Sequence, residues 1–289
     1  MPRSRSVAAV AAPFALVLAA SAATVVNIDA SVQGIFTSWG QNNKGFNAGP
    51  GNVLCGRDNV TVFRNYFVFN LPANLVPAGQ QVLAAELIGK LPWRGYLSAD
   101  ATETWTLFDV SAANYGVLVN EGTSVTNRVD IFNDLGSGND YGSRVVSVAD
   151  EPAPNTGPGL LNVALSKPAF LSDLAARLSA GSIAIGGSIT TLVGTSAQRI
   201  FAFSGYEPSF GGRATLRLTI GAPPCVGDLN VDATVDDADF VIFAIAYNVL
   251  DCGDPAMAAG CPSDFNRDGF VDDTDFVLFA NAYNALLCP

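Results

Sequence analysis

Two stretches near the C-terminus place oxygen-bearing side chains at alternate positions. Asp228, Asn230, Asp232, Asp236 and Asp239 stand at positions 1, 3, 5, 9 and 12 of a short loop. Asp264, Asn266, Asp268, Asp272 and Asp275 repeat that spacing 36 residues later. Alternate side chains on a tightly curling loop converge on one point, and six to eight converging oxygens suit a hard divalent cation. The backbone carbonyls of Thr234 and Phe270 fall at position 7. The spacing therefore predicts two calcium sites. Position 6 turns sharply; it is Gly269 in the second loop and Ala233 in the first. A side chain forced to positive φ costs about 1 kcal/mol, which predicts tighter binding at the second loop.

The elements that must hold these loops are duplicated with them. Residues 228–248 align with 264–284 at 14 of 21 positions. Cys225 maps onto Cys261 and Cys252 onto Cys288 at the same offset. A helix is predicted after each loop, over 237–250 and 273–287, because Phe240, Phe243, Ala244 and Tyr247 recur at helical spacing, as do Phe276, Phe279, Ala280 and Tyr283. A disulfide spans less than about 7 Å between Cα atoms, whereas the end of the first helix lies about 20 Å from its start. Pairing within one repeat is thus hard to close. Antiparallel helices would favour Cys225–Cys288 and Cys252–Cys261 instead.

Charge follows the same division. The chain of 289 residues carries 26 acids and 15 bases, a net of −11. Residues 225–289 hold 12 aspartates and one arginine, so the remainder holds 14 of each sign and is neutral (26 − 12 and 15 − 1). The excess charge marks the two loops. An acidic chain without basic clusters does not suit nucleic acid or anionic membranes. There is no histidine, which excludes Ser-His-Asp and Cys-His catalysis and any His-ligated zinc site.

At the N-terminus, Arg3 and Arg5 precede an apolar run over 7–20 and the small residues Ala20-Ser21-Ala22. This is the pattern of a secretory signal peptide over 1–22, and the run, interrupted by Pro13, is too short to span a membrane. A secreted or cell-surface location and a mature protein without a membrane span are expected. Five cysteines in an exported chain suit disulfides, although Cys55 stands apart and reads as a buried thiol.

Between residues 23 and 221, short β-branched and aromatic runs alternate with Gly, Asn, Asp and Pro. Strands are predicted at 24–29, 61–70, 82–91, 103–110, 144–149, 160–165, 182–185, 199–203 and 214–220, with one helix over 167–178. That count predicts a mainly β body, an antiparallel β-sandwich of jelly-roll-like form. A Pro-rich linker, 222–224, then leads into a small all-α module of duplicated loop–helix units over 225–289.

The body offers weaker candidates for chemistry. Asp100, Glu103 and Asp109 are close in sequence, and two carboxylates are what a glycosidase needs; strand-edge and turn acids are commoner. Residues 133–142 form a Gly/Asn/Asp loop that reads as turn chemistry, with a cation or sugar as the alternative. Trp39 and Trp93 lie in loop-like stretches and suit stacking on sugar rings, while Trp105 reads as core. Asn59-Val60-Thr61 fits the glycosylation acceptor pattern.

Residues 64–71, 101–110, 132–138 and 183–187 resemble an uncharacterised family of exported bacterial proteins, some carrying a PEP-CTERM sorting tail. The duplicated loop–helix unit lacks the entering helix of an EF-hand and resembles a type I dockerin, particularly the dockerin-like repeats of planctomycete exported proteins. That resemblance implies two calcium ions and docking onto a cohesin-like partner. At loop positions 10 and 11, where well-studied dockerins carry Ser or Thr for recognition, this chain has Asp237-Ala238 and Asp273-Thr274. A secreted, non-enzymatic interaction protein is expected. The alternatives are a carbohydrate-binding protein, or an accessory component that degrades extracellular polysaccharide.

Overall fold

The computed structural model describes residues 23–46, 51–78, 80–120, 123–165, 167–201, 212–221, 225–230, 232, 234–258, 261–266 and 268–285. The expected leader over 1–22, the expected linker over 222–224, Ala233 and Cys288 lie outside the described residues. The chain divides into two compact units between residues 223 and 224.

Among the described residues the first unit carries eleven strands: β1 (Thr24–Asp29), β2 (Val32–Thr37), β3 (Cys55–Asp58), β4 (Thr61–Asn70), β5 (Gln81–Leu91), β6 (Thr102–Phe108), β7 (Asp140–Ser147), β8 (Gly159–Ala164), β9 (Ser182–Ile189), β10 (Gln198–Ile200) and β11 (Thr215–Gly221). They form two antiparallel sheets. One has the order β1-β11-β5-β8; the other runs β10-β3-β4-β9-β6-β7, with β2 also pairing β4. β4 pairs β2 along one side, through Phe63–Val68, and on the other it pairs β3 over Thr61–Phe63 and β9 over Asn65–Asn70. The unit is mainly β, with the two antiparallel sheets that a sandwich requires.

Alternation marks some of these strands, while β4 and β9 are buried over consecutive residues. In β6, Glu103, Trp105 and Leu107 are buried, and in β8 Leu161 and Val163 are buried while their neighbours are not. The main core draws on both sheets: Leu87, Leu216 and Leu218 from one, Phe67, Phe69, Trp105, Ile183 and Ile185 from the other. Trp105 is fully buried, its ring edge-on to Phe67 at 6.1 Å and Phe201 at 5.1 Å. Each such side chain contributes roughly 1.5–3 kcal/mol relative to exposure. Cys55 is buried and free, and burial pushes its thiol up to about 12.

Among the described residues this unit carries the α-helices α1 (Tyr115–Leu118), α2 (Val129–Asp134) and α3 (Pro168–Arg177). α3 starts on Pro168, where a missing amide costs nothing, and buries Phe170 and Leu174. α2 supplies Ile131 and Phe132 to a second cluster with Phe36, Tyr66 and Val68. Arg64 fixes the end of α2, donating to the carbonyls of Phe132 and Asn133 at 2.8 and 2.9 Å.

The second unit holds α4 (Asp237–Val249) and α5 (Asp273–Ala285). Val235, Phe243, Ala246, Val271 and Phe279 form its core, with Phe243 and Phe279 stacked at 5.1 Å. Cys252 and Cys261 form a disulfide, their Cα atoms 5.4 Å apart. The expected Cys225–Cys288 pairing involves Cys288 and so lies outside the described residues.

Candidate metal centre

Each loop is built by its own carboxylates accepting backbone amides. In the first, Asp228 Oδ1 and Asn230 Oδ1 both accept from the Asp232 amide, at 3.0 and 2.9 Å. Asp232 Oδ1 in turn accepts from the amide and hydroxyl of Thr234, at 2.9 and 2.6 Å. These bonds, the hydroxyl's first, hold the Asp232 carboxyl below the usual carboxylate value. Asp236 caps α4, accepting from Ala238 at 2.8 Å. Asp239 closes the loop from inside the helix. It is fully buried; Oδ1 accepts from Leu229 and Asn230 at 2.7 and 2.9 Å, and Oδ2 from Asp236 at 3.0 Å.

The second loop repeats this pattern. Asp264 Oδ1 and Asn266 Oδ1 accept from Asp268, at 3.2 and 2.9 Å. Asp268 Oδ1 accepts from Phe270 at 3.0 Å, and Asp272 Oδ1 from Thr274 at 2.8 Å. Asp275 is fully buried and accepts from Phe265, Asn266 and Asp272, at 2.7, 3.1 and 3.0 Å. Gly269 adopts φ +95°, and its amide donates to Asp264 Oδ2 at 2.9 Å.

This geometry brings one carboxylate oxygen each of Asp228, Asp232 and Asp239 within 4.8 Å of one another. Two such charges repel by about 1 kcal/mol in water, and by about 4 kcal/mol near a protein surface. No Lys or Arg occurs between residues 225 and 261 to offset them. The donor set is all hard oxygen, so the residues present fit a calcium-like dication and not a soft metal. Three amide donors occupy much of the Asp239 carboxylate, leaving one in-plane lone pair on Oδ2. That oxygen suits single-point ligation. Cys252, Cys261 and Asp264 also cluster, but the two sulfurs are joined in a disulfide and neither is a thiolate ligand.

Two residue pairs carry no signal in the loop spacing. The Tyr247 hydroxyl donates to Asp273 Oδ1 at 2.5 Å, and the Tyr283 hydroxyl to Asp237 Oδ1 at 2.6 Å. These bonds push both phenols above their usual value. The end of each helix thus meets the start of the other, so α4 and α5 are antiparallel. In the sequence only the repetition of Asp237 as Asp273 and of Tyr247 as Tyr283 at the 36-residue offset is visible, not their pairing.

The body candidates are engaged in holding turns. Glu103 is buried in β6 and accepts from Ser98 and Thr191, at 2.7 and 2.5 Å. Asp100 accepts from Gln198 at 2.6 Å. Asp109 accepts from the Asn139 amide at 2.6 Å; burial pushes its carboxyl up, with Asp173 and Asp134 adding to the shift. The loop over 133–142 is shorter than expected, since α2 reaches Asp134 and β7 begins at Asp140. Asp134 ties it down by accepting from Ser111 and Asn114. Trp39 and Trp93 are 58% and 43% exposed, and Trp105 is core. Asn59, at φ +52°, and the exposed Val60 make the β3–β4 turn.

Protein-family models and curated proteins give no match to this chain. Among the described residues, no helix is long and apolar enough to cross a membrane.

Proposed function

We propose that the chain is an exported, non-enzymatic interaction protein, a jelly-roll-like β-sandwich joined to a dockerin-like docking module braced by two calcium ions. The convergence of Asp228, Asp232 and Asp239 carries this reading, together with the repetition of the same hydrogen bonds in the second loop. Asp228, Asn230, Asp232, Asp236, Asp239 and the Thr234 carbonyl would hold one ion. Asp264, Asn266, Asp268, Asp272, Asp275 and the Phe270 carbonyl would hold the other. Calcium supplies the positive charge that lets the carboxylates converge. The aspartates themselves curl the loops and cap the helices.

Docking is supported by the apolar surface of the two helices. Phe240, Val241 and Ile245 on α4, and Phe276, Val277 and Leu278 on α5, are exposed, which marks an interaction surface on so small a unit. A cohesin-like module is the partner that the family resemblance implies. The leader places the protein outside the cell, and cleavage near residue 22 is checked by N-terminal sequencing of the secreted form.

Calcium titration of the mature protein by calorimetry, with thermal unfolding in calcium and in chelator, tests the metal reading. Two equivalents bound and a raised unfolding temperature are expected. No binding at millimolar calcium would overturn it. Capture of a purified cohesin-type module by the calcium-loaded protein, lost in chelator, tests docking. A second reading rests on Trp39 and Trp93, whose exposure suits stacking on extracellular polysaccharide; glycan binding without product release would favour it, and product release would favour an enzyme.

A further inference from the structure

We propose that the two loops bind calcium cooperatively, and that the reciprocal bonds Tyr247–Asp273 and Tyr283–Asp237 carry the coupling. This rests on the calcium reading above and adds to it a link between the sites.

Each bond joins the far end of one helix to the residue that follows the other loop's capping aspartate. Asp237 lies between Asp236, the cap of α4, and Asp239, whose carboxylate holds the amides of Leu229 and Asn230. Asp273 lies between Asp272 and Asp275, which stand in the same relation to Phe265 and Asn266. The first turn of each helix is therefore hydrogen-bonded into its own loop. Each helix is 13 residues long, about 20 Å of stiff rod. The rods are packed along their length: Phe243 stacks on Phe279 at 5.1 Å, and Phe240–Phe279 and Phe243–Phe276 each meet at 6.0 Å. Ordering the first loop fixes the start of α4, and with it the acceptor for Tyr283 at the end of α5. The same ordering aims Tyr247, at the end of α4, at Asp273 beside the second loop.

In the first loop the two states differ by carboxylate repulsion, and the second carries the same aspartates at the same spacing. Without a cation, the close approach of Asp228, Asp232 and Asp239 is opposed, and a loosened loop no longer fixes its helix start. Filling one loop removes that freedom at both ends of its helix. The other loop then has less to order when its own ion arrives, which is positive cooperativity. By linkage each site raises the affinity of the other by the same factor.

A second route between the repeats exists. Leu250 accepts from Val271 at 2.7 Å, and Cys252 donates to the Gly269 carbonyl at 3.0 Å. These bonds join the end of α4 to the second loop only, whereas the tyrosine pair acts on both. The assignment to the tyrosines is therefore separable by substitution.

The test is a cycle on the full mature chain, read by calcium calorimetry. Asp268→Ala disables the second loop. In the wild-type background it should weaken calcium binding at the first loop about 5-fold or more. In the Tyr247→Phe/Tyr283→Phe background, which keeps both rings, it should leave first-loop affinity unchanged, while that double variant alone still binds two ions. Asp237→Ala/Asp273→Ala removes both acceptors and should abolish the coupling in the same way; it provides the same comparison if the phenylalanine variant does not fold. Coupling of wild-type size in the phenylalanine background overturns the assignment, as does independent binding in the wild type. Absence of calcium binding by the wild type is a different result: it overturns the calcium reading itself.

Discussion

Asp239 lies within α4, yet its Oδ1 accepts the Leu229 amide 2.7 Å away, ten residues earlier in the chain. One buried carboxylate therefore closes the first loop before any cation is considered. Asp239→Asn keeps the shape but turns one oxygen into a donor, which must face one of the three amides from Leu229, Asn230 and Asp236. The lost bond to a charged acceptor should cost about 1.5–3 kcal/mol. Chemical unfolding of the variant in chelator should show that loss, and calcium titration should show one equivalent fewer. Unchanged stability in chelator would sink this account of the loop.

Gly269 gives a cleaner test of the second loop. Its φ is +95°, and an added Cβ would meet nothing within 4 Å. Gly269→Ala thus changes backbone strain without changing packing. The expected cost is about 1 kcal/mol, equivalent to roughly 5-fold weaker calcium binding. The loss should fall chiefly on the second site, with a smaller loss at the first through the coupling between them. A change confined to the first site would contradict it.

How much of this was legible depended on what the residues had to do. The two aspartate-rich loops were readable as repeats because their side chains recur at fixed spacing, and the nine expected strands have counterparts because their β-branched and aromatic runs are bounded by Gly, Asn, Asp and Pro. β2 was not expected: Gly34 interrupts it, and five of its six residues are buried, so no alternation survives. β3 is four residues long and contains Gly56 at φ +119°, too short for any pattern. α1 and α2 have four and six residues and exist through contacts with Phe36 and Tyr66, not through their own periodicity. At the candidate metal centre, the acceptor role of Asp239 was hidden because its partners are backbone amides, which every residue type but proline offers. The tyrosine bonds were hidden because they join residues 26 and 46 apart.

The body unit should lose stability in acid. Arg144 donates to Asp150 at 2.6 Å, and Ser147 adds its amide at 2.9 Å. Burial opposes ionisation of Asp150, but these bonds outweigh it and hold the carboxyl below its ordinary value. A depressed carboxyl stabilises the fold above its unfolded pKa, about 4, and that contribution is lost as pH falls through the folded value. Thermal melts of the mature protein should thus decline below about pH 4. Asp150→Asn should lower stability at pH 7 and flatten the decline. An identical acid profile in the variant would assign the sensitivity to other groups.

Ser263 marks a place where the second repeat is not optimised. Its side chain is fully buried, and its Oγ has no hydrogen-bond partner among the described residues. The equivalent position of the first repeat is Gly227, which has no side chain to bury. An unpaired buried hydroxyl costs about 1–3 kcal/mol, and removing it while keeping the shape recovers part of that. Ser263→Ala should therefore stabilise the calcium-free module by about 1 kcal/mol, seen as a higher denaturation midpoint in chelator. The substitution touches no ligand, so calcium stoichiometry should stay at two. Destabilisation would mean that the hydroxyl is paired in solution, and loss of an equivalent would mean that it supports Asp264 directly.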